Sequence, residues 1–544
     1  MGKGFRKADV LKHLEEYEAN EKLISTSKMS TMDDYFKEYE KDQAYNETIN
    51  QIKEKIPENL VDLYPLAREK HRHFILHIGE TNTGKTYNAI KRFHKAASGV
   101  YLAPLRLLAL EIQEEAERNH VPCTYLTGEE ELIREGANHV SSTIEKLDIR
   151  QEYDVAVIDE AQLLSDPSRG GAWTRAILGV LADEVHICCS PNAEKLVITL
   201  IETCGDTYEV EYLERKTSLV VEKKKMRDVK PNDALVVFSR NKVLALESEL
   251  REKGIKASII YGSLPYSVRK HEMQKFLDGE TNVVIATDAI GMGLNLPIER
   301  VIFMESEKFD GRERRALLLP EIKQIAGRAG RYGLFDKGLV TANGPTAWLK
   351  ESLAMEYTDL THCVLPIPES LLNVKGHFID NLLIWQEFNF PDYYTKPDLS
   401  VPLTLAEVLN EYGTIFSNRT IYNLITLPVD KSTMKLYKKL VEGMVTGEVD
   451  RVIGKVLNEE PKTLNELETH HKELDVIYSF SGKFSYDKYK ESIMFQKESN
   501  ALAIMEVLKQ PYKHVCEHCE ETLAWDFSYT LCQDCYEQGH IHNR

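Results

Sequence analysis

Three short stretches of this chain carry residue types that could act together on a nucleoside triphosphate. Gly79-Glu80-Thr81-Asn82-Thr83-Gly84-Lys85-Thr86 satisfies the pattern G-x-x-x-x-G-K-[ST] between an apolar run and a predicted helix from Tyr87 to Ala97. Glycines let backbone wrap a phosphate, and successive N–H groups at a helix start supply partial positive charge. Lys85 is placed to reach the β- and γ-phosphates and Thr86 to offer a hydroxyl to Mg²⁺. Val155-Ala156-Val157-Ile158 then leads into Asp159-Glu160-Ala161-Gln162, 74 residues beyond Lys85. Asp159 is expected to hold Mg²⁺, directly or through water, and Glu160 to orient the attacking water. In the stretch from Gln324 to Arg331, Arg328 and Arg331 stand three residues apart and would share one face of a helix. An arginine brought onto the transferring phosphoryl group is worth about 10³–10⁵ in rate. Because this pair lies in a later α/β unit, hydrolysis would require a cleft to close.

A second chemistry sits at the other end. Cys516-x-x-Cys519 and Cys532-x-x-Cys535 are separated by twelve residues and predict a closed S₄ cage for structural Zn²⁺. His518, His540 and His542 lie close by, and His540 or His542 could replace a cysteine. So short a module cannot bury a large core, so metal would supply most of its folding energy. Trp525, Phe527 and Tyr529 are expected to cover it. With no open coordination position, its use would be docking to nucleic acid or to protein. The other five of the nine cysteines are scattered, which indicates a reducing compartment.

The elements that must hold these residues can be read from texture. Apolar runs at Phe74–Ile78, Val100–Ala103, Val155–Ile158, Val185–Cys189, Ala234–Phe238, Ser258–Ile260, Val283–Ala286 and Val301–Met304 alternate with helical stretches. That pattern predicts an α/β protein with parallel sheets. Two α/β units meet near 212–232, where Glu214-Arg215-Lys216-Thr217 and Lys223-Lys224-Lys225 interrupt it. The expected organisation is a helical N-terminal region over 1–70, α/β units over 71–214 and 215–345, a helical region over 346–510 and the cysteine module over 511–544. One N-terminal helix should start near Ser30–Thr31, with Asp33 and Asp34 in its first turn. Leu436, Leu440 and Met444 recur at i, i+4, i+8 as a bundle core, and Pro391, Pro397 and Pro402 mark a linker.

Across 544 residues, 86 acidic against 68 basic side chains leave a formal charge of −18. This argues against coating nucleic acid by bulk charge and leaves room for a narrow basic groove. No apolar run approaches the length of a membrane span, and no signal or transit segment is evident. The expected location is therefore cytoplasmic.

The motifs resemble a known family. Gly79–Thr86, Asp159–Gln162 and Gln324–Arg331 resemble motifs I, II and VI of superfamily 2 helicases, and Ala286–Leu296 resembles motif V. Ala103-Pro104-Leu105-Arg106-Leu107-Leu108-Ala109, Thr127-Gly128-Glu129-Glu130, Ser142-Thr143-Ile144-Glu145 and Ile260-Tyr261-Gly262-Ser263-Leu264-Pro265 narrow the resemblance to the Suv-three-like ATP-dependent RNA helicases, over about residues 72–345. The resemblance implies two RecA-like domains, ATP hydrolysis and 3′-to-5′ unwinding of RNA, sometimes also of DNA.

By position it assigns Lys85, Thr86, Asp159, Glu160, Gln324, Arg328 and Arg331 to ATP and Mg²⁺, with Gly79, Thr81, Asn82, Thr83 and Gly84 in the phosphate loop. Asp288 and Gly291 would lie near the nucleotide, and Pro104, Arg106, Thr127, Gly128, Thr143, Ser239, Arg240 and Thr287 along the nucleic-acid track. Small hydroxyl and backbone contacts to phosphate position a strand without reading it, so binding should be sequence-tolerant and salt-dependent.

Three departures stand out. Cys188-Cys189-Ser190-Pro191-Asn192 occupies the place of the usual small motif III element, no adenine-reading glutamine motif precedes residue 79, and the cysteine module lies outside the family core. The expectation is a monomeric RNA helicase or translocase acting on single-stranded RNA or RNA with a 3′ overhang. Protein partners would attach through residues 1–70 or the cysteine module. The alternatives are a DNA helicase or repair translocase, or a nucleic-acid-binding scaffold with weak ATPase, against which intact Lys85, Asp159, Glu160, Arg328 and Arg331 argue.

Overall fold

Runs of valine, isoleucine and leucine buried on both faces are what parallel strands require, and the computed structural model turns every predicted run into a strand of one of two sheets. It describes residues 32–57, 59–222, 228–291, 296–512 and, in the C-terminal module, 515, 516, 518, 519, 521, 523–527 and 531–538. Ser30–Thr31, Lys223–Lys225, Met292–Asn295, Tyr529, His540 and His542 lie outside the described residues.

The first sheet contains β1 (His73–Gly79), β2 (Gly99–Ala103), β3 (Cys123–Leu126), β4 (Glu131–Leu132), β5 (His139–Thr143), β6 (Glu152–Ile158), β7 (Leu181–Cys189) and β8 (Thr207–Leu213), in the order β4-β3-β5-β2-β6-β7-β1-β8. Its strands are parallel except for the β3–β4 pair. The second contains β9 (Ser218–Val221), β10 (Asp233–Val236), β11 (Ala257–Ile260), β12 (Val283–Ala286), β13 (Arg300–Phe303) and a strand at Lys337–Ala342, all parallel, with β9 and β11 at its edges. These are two tandem RecA-like domains, here called the first and second lobes. In the first, β7 separates β1 from β6, so Gly79 and Asp159 emerge at the same sheet edge one strand apart.

Strands β3, β5, β8, β9 and Lys337–Ala342 were not among the predicted runs. Their sequences carry Thr, Ser, His, Glu or Lys inside the strand, and β8 is an exposed edge. Polar groups in β5 are tolerated because they find partners: the buried Ser141 hydroxyl donates to the Ala109 carbonyl at 2.5 Å.

Helices follow at Ser400–Asn410, Asn418–Ile425, Met434–Thr446, Val449–Leu457, Leu464–Lys483 and Lys490–Leu508. Leu436 and Leu440 are buried, as the stripe predicts. Pro402 is not linker. It lies in the first turn of Ser400–Asn410, where a missing N–H leaves no intrahelical bond unmade. Leu467, Ala501 and Ile504 join the core on one face of the second sheet, so this helical region and the second lobe share apolar packing.

Among the described residues, 32–57 and 368–389 form a separate compact unit. Its helix Met32–Lys55 packs with Phe378–Gln386, the Tyr45 hydroxyl donates to Glu387 at 3.1 Å, and the Lys375 N–H donates to Gln51 at 3.0 Å. Residues 368–389 thus leave the helical region expected over 346–510 and pair with the N-terminal helix. Residues 59–70 belong with the lobes.

Candidate active site

β1 ends at Gly79, and the phosphate loop turns through Asn82 at φ 64° and Gly84 at φ 86° into the helix Lys85–Lys95. Left-handed residues turn successive N–H groups toward one concavity, the geometry of an anion nest. The loop is tight: a Cβ on Gly79 would fall 2.6 Å from Thr83 Oγ1 and 2.7 Å from the Leu213 carbonyl. Lys85 is buried, with Nζ 3.4 Å from the Gly79 carbonyl and 3.9 Å from Glu160 Oε1. Burial works against its charge, yet Glu160 and Asp159 hold its pKa above the ordinary lysine value.

Asp159 leaves β6 fully engaged. Oδ1 accepts from the Thr86 hydroxyl at 3.3 Å and the Glu160 N–H at 2.9 Å, and Oδ2 accepts from the Tyr101 hydroxyl at 2.8 Å. Trp173 Nε1–H donates to the Asp159 carbonyl at 2.9 Å. Burial, reinforced by the neighbouring Glu160 charge, pushes the Asp159 carboxyl up to about 6. Burial also acts on Glu160, but Lys85 and then Arg328 hold it below the usual glutamate value. Environment has separated two adjacent carboxylates, one readily ionised and one close to neutrality. Thr86 and Asp159, brought together here, offer the hydroxyl and carboxylate oxygens that suit Mg²⁺.

Glu160 sits at φ 49°, a left-handed conformation that glutamate seldom adopts, and Gln162 donates to its carboxylate. Gln162 also accepts from the Ser190 N–H at 3.2 Å. The unusual Cys188–Asn192 element is therefore joined through one amide to the residue expected to orient water. The link uses the Ser190 main chain, which explains how altered side chains can stand there.

The second lobe reaches the same loop. Asn82 Nδ2 donates to the Gly327 carbonyl at 2.8 Å, and a Cβ on Gly327 would fall 2.6 Å from Thr81 Cβ. Arg215 donates to the Thr81 carbonyl at 3.1 Å, the Gly327 carbonyl at 2.7 Å and the Ala329 carbonyl. Lys323 lies 3.3 Å from Glu80. Arg328 Nε donates to the Gly291 carbonyl at 3.2 Å, and its charge acts on Glu160 and Asp159.

The arginine pair does not share a helical face. The helix Leu319–Ala326 ends first, and Gly330 turns the chain at φ 72°, where a Cβ would lie 2.5 Å from the Gly338 backbone. Arg328 enters the cleft. Arg331 lies half-buried beyond that turn, its carbonyl accepting from the Leu334 and Phe335 N–H groups. Gln324 and Asp288 line a neighbouring cavity, and Asp288 is paired with Lys308 at 2.9 Å.

That cavity, about 950 Å³, is walled by both lobes and the helical region. Pro104, Arg106, Gly128 and Thr143 line it, with Lys146, Arg169, Arg269, Lys308 and Lys483 and the acids Glu129, Glu145, Asp288 and Glu321. Thr127, Ser239 and Thr287 are in local turns and caps: Thr127 Oγ1 accepts from the Glu130 N–H at 2.9 Å, Ser239 caps its helix, and Thr287 Oγ1 accepts from the Ala289 N–H at 3.3 Å. Arg240 is bound to Glu468 at 2.9 Å.

Sequence reading did not single out Tyr101, Trp173, Glu468, Asp475, Arg269 or Lys483, and it took Arg215 only as part of an interruption between units. No motif marks them, since each acts on a partner 14 to 369 residues away or on the wall of a cavity.

In the C-terminal module the Sγ atoms of Cys516, Cys519, Cys532 and Cys535 all lie within 4.8 Å of one another. Cys519 and Cys532 Sγ are 3.6 Å apart, and Cys516 Sγ accepts from the Cys532 N–H at 3.2 Å. Backbone N–H groups of Cys519, Cys532 and His518 outweigh burial and bring the Cys516 thiol down to about 6. Leu523, Phe527 and Leu531 pack around the thiols, whereas Trp525 packs against the second-lobe core. Trp525 is thus not a cover of the thiols, as expected from the sequence; it fixes the module to the lobe.

Residues 61–213 match the DEXQ-box helicase domain of Suv3, and residues 216–333 match the helicase conserved C-terminal domain. The ATP-dependent RNA helicase SUV3, mitochondrial, of Oryza sativa subsp. japonica is 41% identical over 358 residues, covering 64% of this chain and 60% of the relative. Its namesake in Candida albicans is 37% identical over 359 residues, covering 61% and 50%. The ATP-dependent RNA helicase SUPV3L1, mitochondrial, of Mus musculus is 43% identical over 365 residues, covering 64% and 46%. The chain spans about half the length of the curated relatives it matches. All three carry mitochondrial names, which overturns the cytoplasmic expectation: composition and an unremarkable start do not report where a chain is delivered.

Proposed function

We propose, for a chain whose core at residues 61–333 belongs to the Suv3-like family of superfamily 2 helicases, an ATP-dependent RNA helicase in which hydrolysis between the lobes drives movement along RNA. The observation that carries this reading is the placement of Arg328, from the second lobe, against Glu160 and Asp159 of the first. One triphosphate site is completed by both lobes, so the lobes must be together for hydrolysis and can part after it.

Within that site the phosphate loop and Lys85 bind the β- and γ-phosphates, and Thr86 and Asp159 would hold Mg²⁺, which would supply positive charge to the phosphates. Glu160, kept ionised by Lys85 and Arg328, orients and deprotonates water, while Gln162 fixes its carboxylate. Arg328 stabilises charge on the transferring group. Gln324 and Arg331 are proposed to serve ATP beside it, as the family resemblance assigns them. A single chain suffices for this chemistry, so a monomer is the proposed unit.

RNA is proposed to run through the cavity lined by Pro104, Arg106, Gly128 and Thr143, whose basic wall suits phosphates and whose volume suits single strands. Unwinding from a 3′ overhang follows from the family resemblance. Zn²⁺ is proposed at Cys516, Cys519, Cys532 and Cys535, whose thiols converge as a tetrahedral site requires. The module so formed, seated on the second lobe through Trp525, is proposed to dock nucleic acid or a protein partner.

The test is steady-state ATPase with and without single-stranded RNA or DNA. Strong stimulation by RNA, abolished in Lys85→Ala and Glu160→Gln, supports the reading. Indifference to any polynucleotide removes the motor, and equal stimulation by DNA removes the RNA assignment. Cys516→Ser should lower bound zinc by one equivalent.

A further inference from the structure

Away from both sites, His470 of the Leu464–Lys483 helix is only 3% exposed, and its Nδ1 has no hydrogen-bond partner. That nitrogen is aimed between two carboxylates, at 3.8 Å from Glu473 Oε2 and 3.8 Å from Glu459 Oε2. Glu473 lies one turn along the same helix, and Glu459 follows the end of Val449–Leu457. The three ligand atoms lie within 4.8 Å of one another, at the wall of a surface cavity of about 630 Å³. Glu460, Glu466 and Lys462 also line it, so the local charge is negative.

An imidazolium shared by two carboxylates would draw at least one of them to a hydrogen bond, about 2.8 Å. Here neither is made. At metal–ligand distances of about 2.0–2.2 Å, tetrahedral ligand atoms stand about 3.4 Å apart. Bringing 3.8 Å to that value needs only a small rotation of either glutamate, both of which reach the cavity. Two ligands spaced one helical turn apart and a third from a neighbouring segment are a recurrent way of building such a site in helical proteins. The imidazole nitrogen disfavours Mg²⁺ and Ca²⁺ and favours a borderline divalent ion.

We infer that Glu459, His470 and Glu473 form a second metal site, specific for Zn²⁺ or a similar divalent transition ion, that pins the 458–463 connection to the Leu464–Lys483 helix. The inference does not depend on the helicase reading. The site leaves positions for water, unlike the cysteine cage, and exchanges its ion more readily.

Co²⁺ titration of the full, nucleotide-free chain tests it, because thiolate ligands give a charge-transfer band that nitrogen and oxygen ligands do not. Wild-type protein is expected to bind two equivalents. Glu473→Gln and Glu459→Gln should each lose one equivalent and leave the thiolate band intact, and Co²⁺ should raise the melting temperature of the wild type more than that of either variant. His470→Gln should behave alike. Equal stoichiometry in the wild type and both glutamate variants overturns the site, as does loss of the thiolate band in place of the second equivalent. Both glutamates are partly exposed, so these variants fold whatever His470 contributes to its helix.

Discussion

Arg106 of the first lobe points its guanidinium at Asp475 of the Leu464–Lys483 helix, 3.3 Å away, and seven residues earlier on that helix Glu468 holds Arg240 of the second lobe at 2.9 Å. One acidic helical face thus grips one arginine from each lobe, and both arginines are ones expected to meet RNA phosphates. Asp475 also takes Lys497 at 2.8 Å, and these cations drive its pKa far below the carboxylate range against burial. Arg106 is in turn raised above the ordinary arginine value by Asp475 and Glu129, against burial.

If phosphate and Asp475 compete for Arg106, Asp475→Asn should tighten RNA binding and steepen the log–log salt dependence by about one, whereas Arg106→Ala should weaken binding. Breaking a buried pair also costs about 3–5 kcal/mol of stability, so the melting temperature of Asp475→Asn should fall. Anisotropy with labelled RNA across a salt series reads the first effect. An unchanged slope would show that Arg106 is structural.

Arg328→Ala should lower RNA-stimulated kcat by about 10³-fold or more with little change in KM for ATP. Arg215→Ala should reduce kcat less, because Arg215 holds the Gly327–Ala329 loop and the Thr81 carbonyl without touching the phosphates. Steady-state ATPase at saturating RNA separates the two. A larger loss from Arg215 than from Arg328 would reverse the assignment.

Asp159, raised to about 6 by burial and by Glu160, stays protonated in the fold where the unfolded carboxyl has already ionised. Its contribution to stability is therefore present below about pH 4 and lost as pH rises through 6. The carboxylate needed for Mg²⁺ appears over the same window, so kcat/KM should have an acid limb near pH 6. Tyr101→Phe removes a hydrogen bond to the ionised form and should move that limb upward. A limb indifferent to Tyr101 would assign it to another group.

Lys483 donates to the Thr426 and Asn423 carbonyls at 2.9 and 3.3 Å, and burial, helped by the Lys146 charge, brings it down to about 8. It lines the cavity proposed for RNA and should lose its charge as pH rises past that value. RNA affinity should decline between pH 7 and 9 in the wild type but not in Lys483→Arg, since arginine stays charged up to about pH 12. Parallel declines in both proteins would exclude Lys483.

What could be read from residues alone was local. Gly79–Thr86 and Asp159–Glu160 announce themselves because phosphate binding demands particular residues at fixed spacing, next to strands whose apolar runs are equally short-range. The same holds for the two cysteine pairs, which the fold brings within 4.8 Å. The partners that tune these groups carry no such mark. Tyr101 on Asp159, Arg215 on Gly327, Glu468 on Arg240 and Asp475 on Arg106 are ordinary residues, given their roles by contacts across 58 to 369 positions of chain. The arginine loop shows the limit well. Its spacing suggested a shared helical face, but the helix ends at Ala326 and Gly330, close against the Gly338 backbone, turns the chain between Arg328, whose charge acts on the carboxylates, and Arg331. Short-range sterics write motifs into a sequence, whereas electrostatic partners are chosen by packing between segments far apart along it.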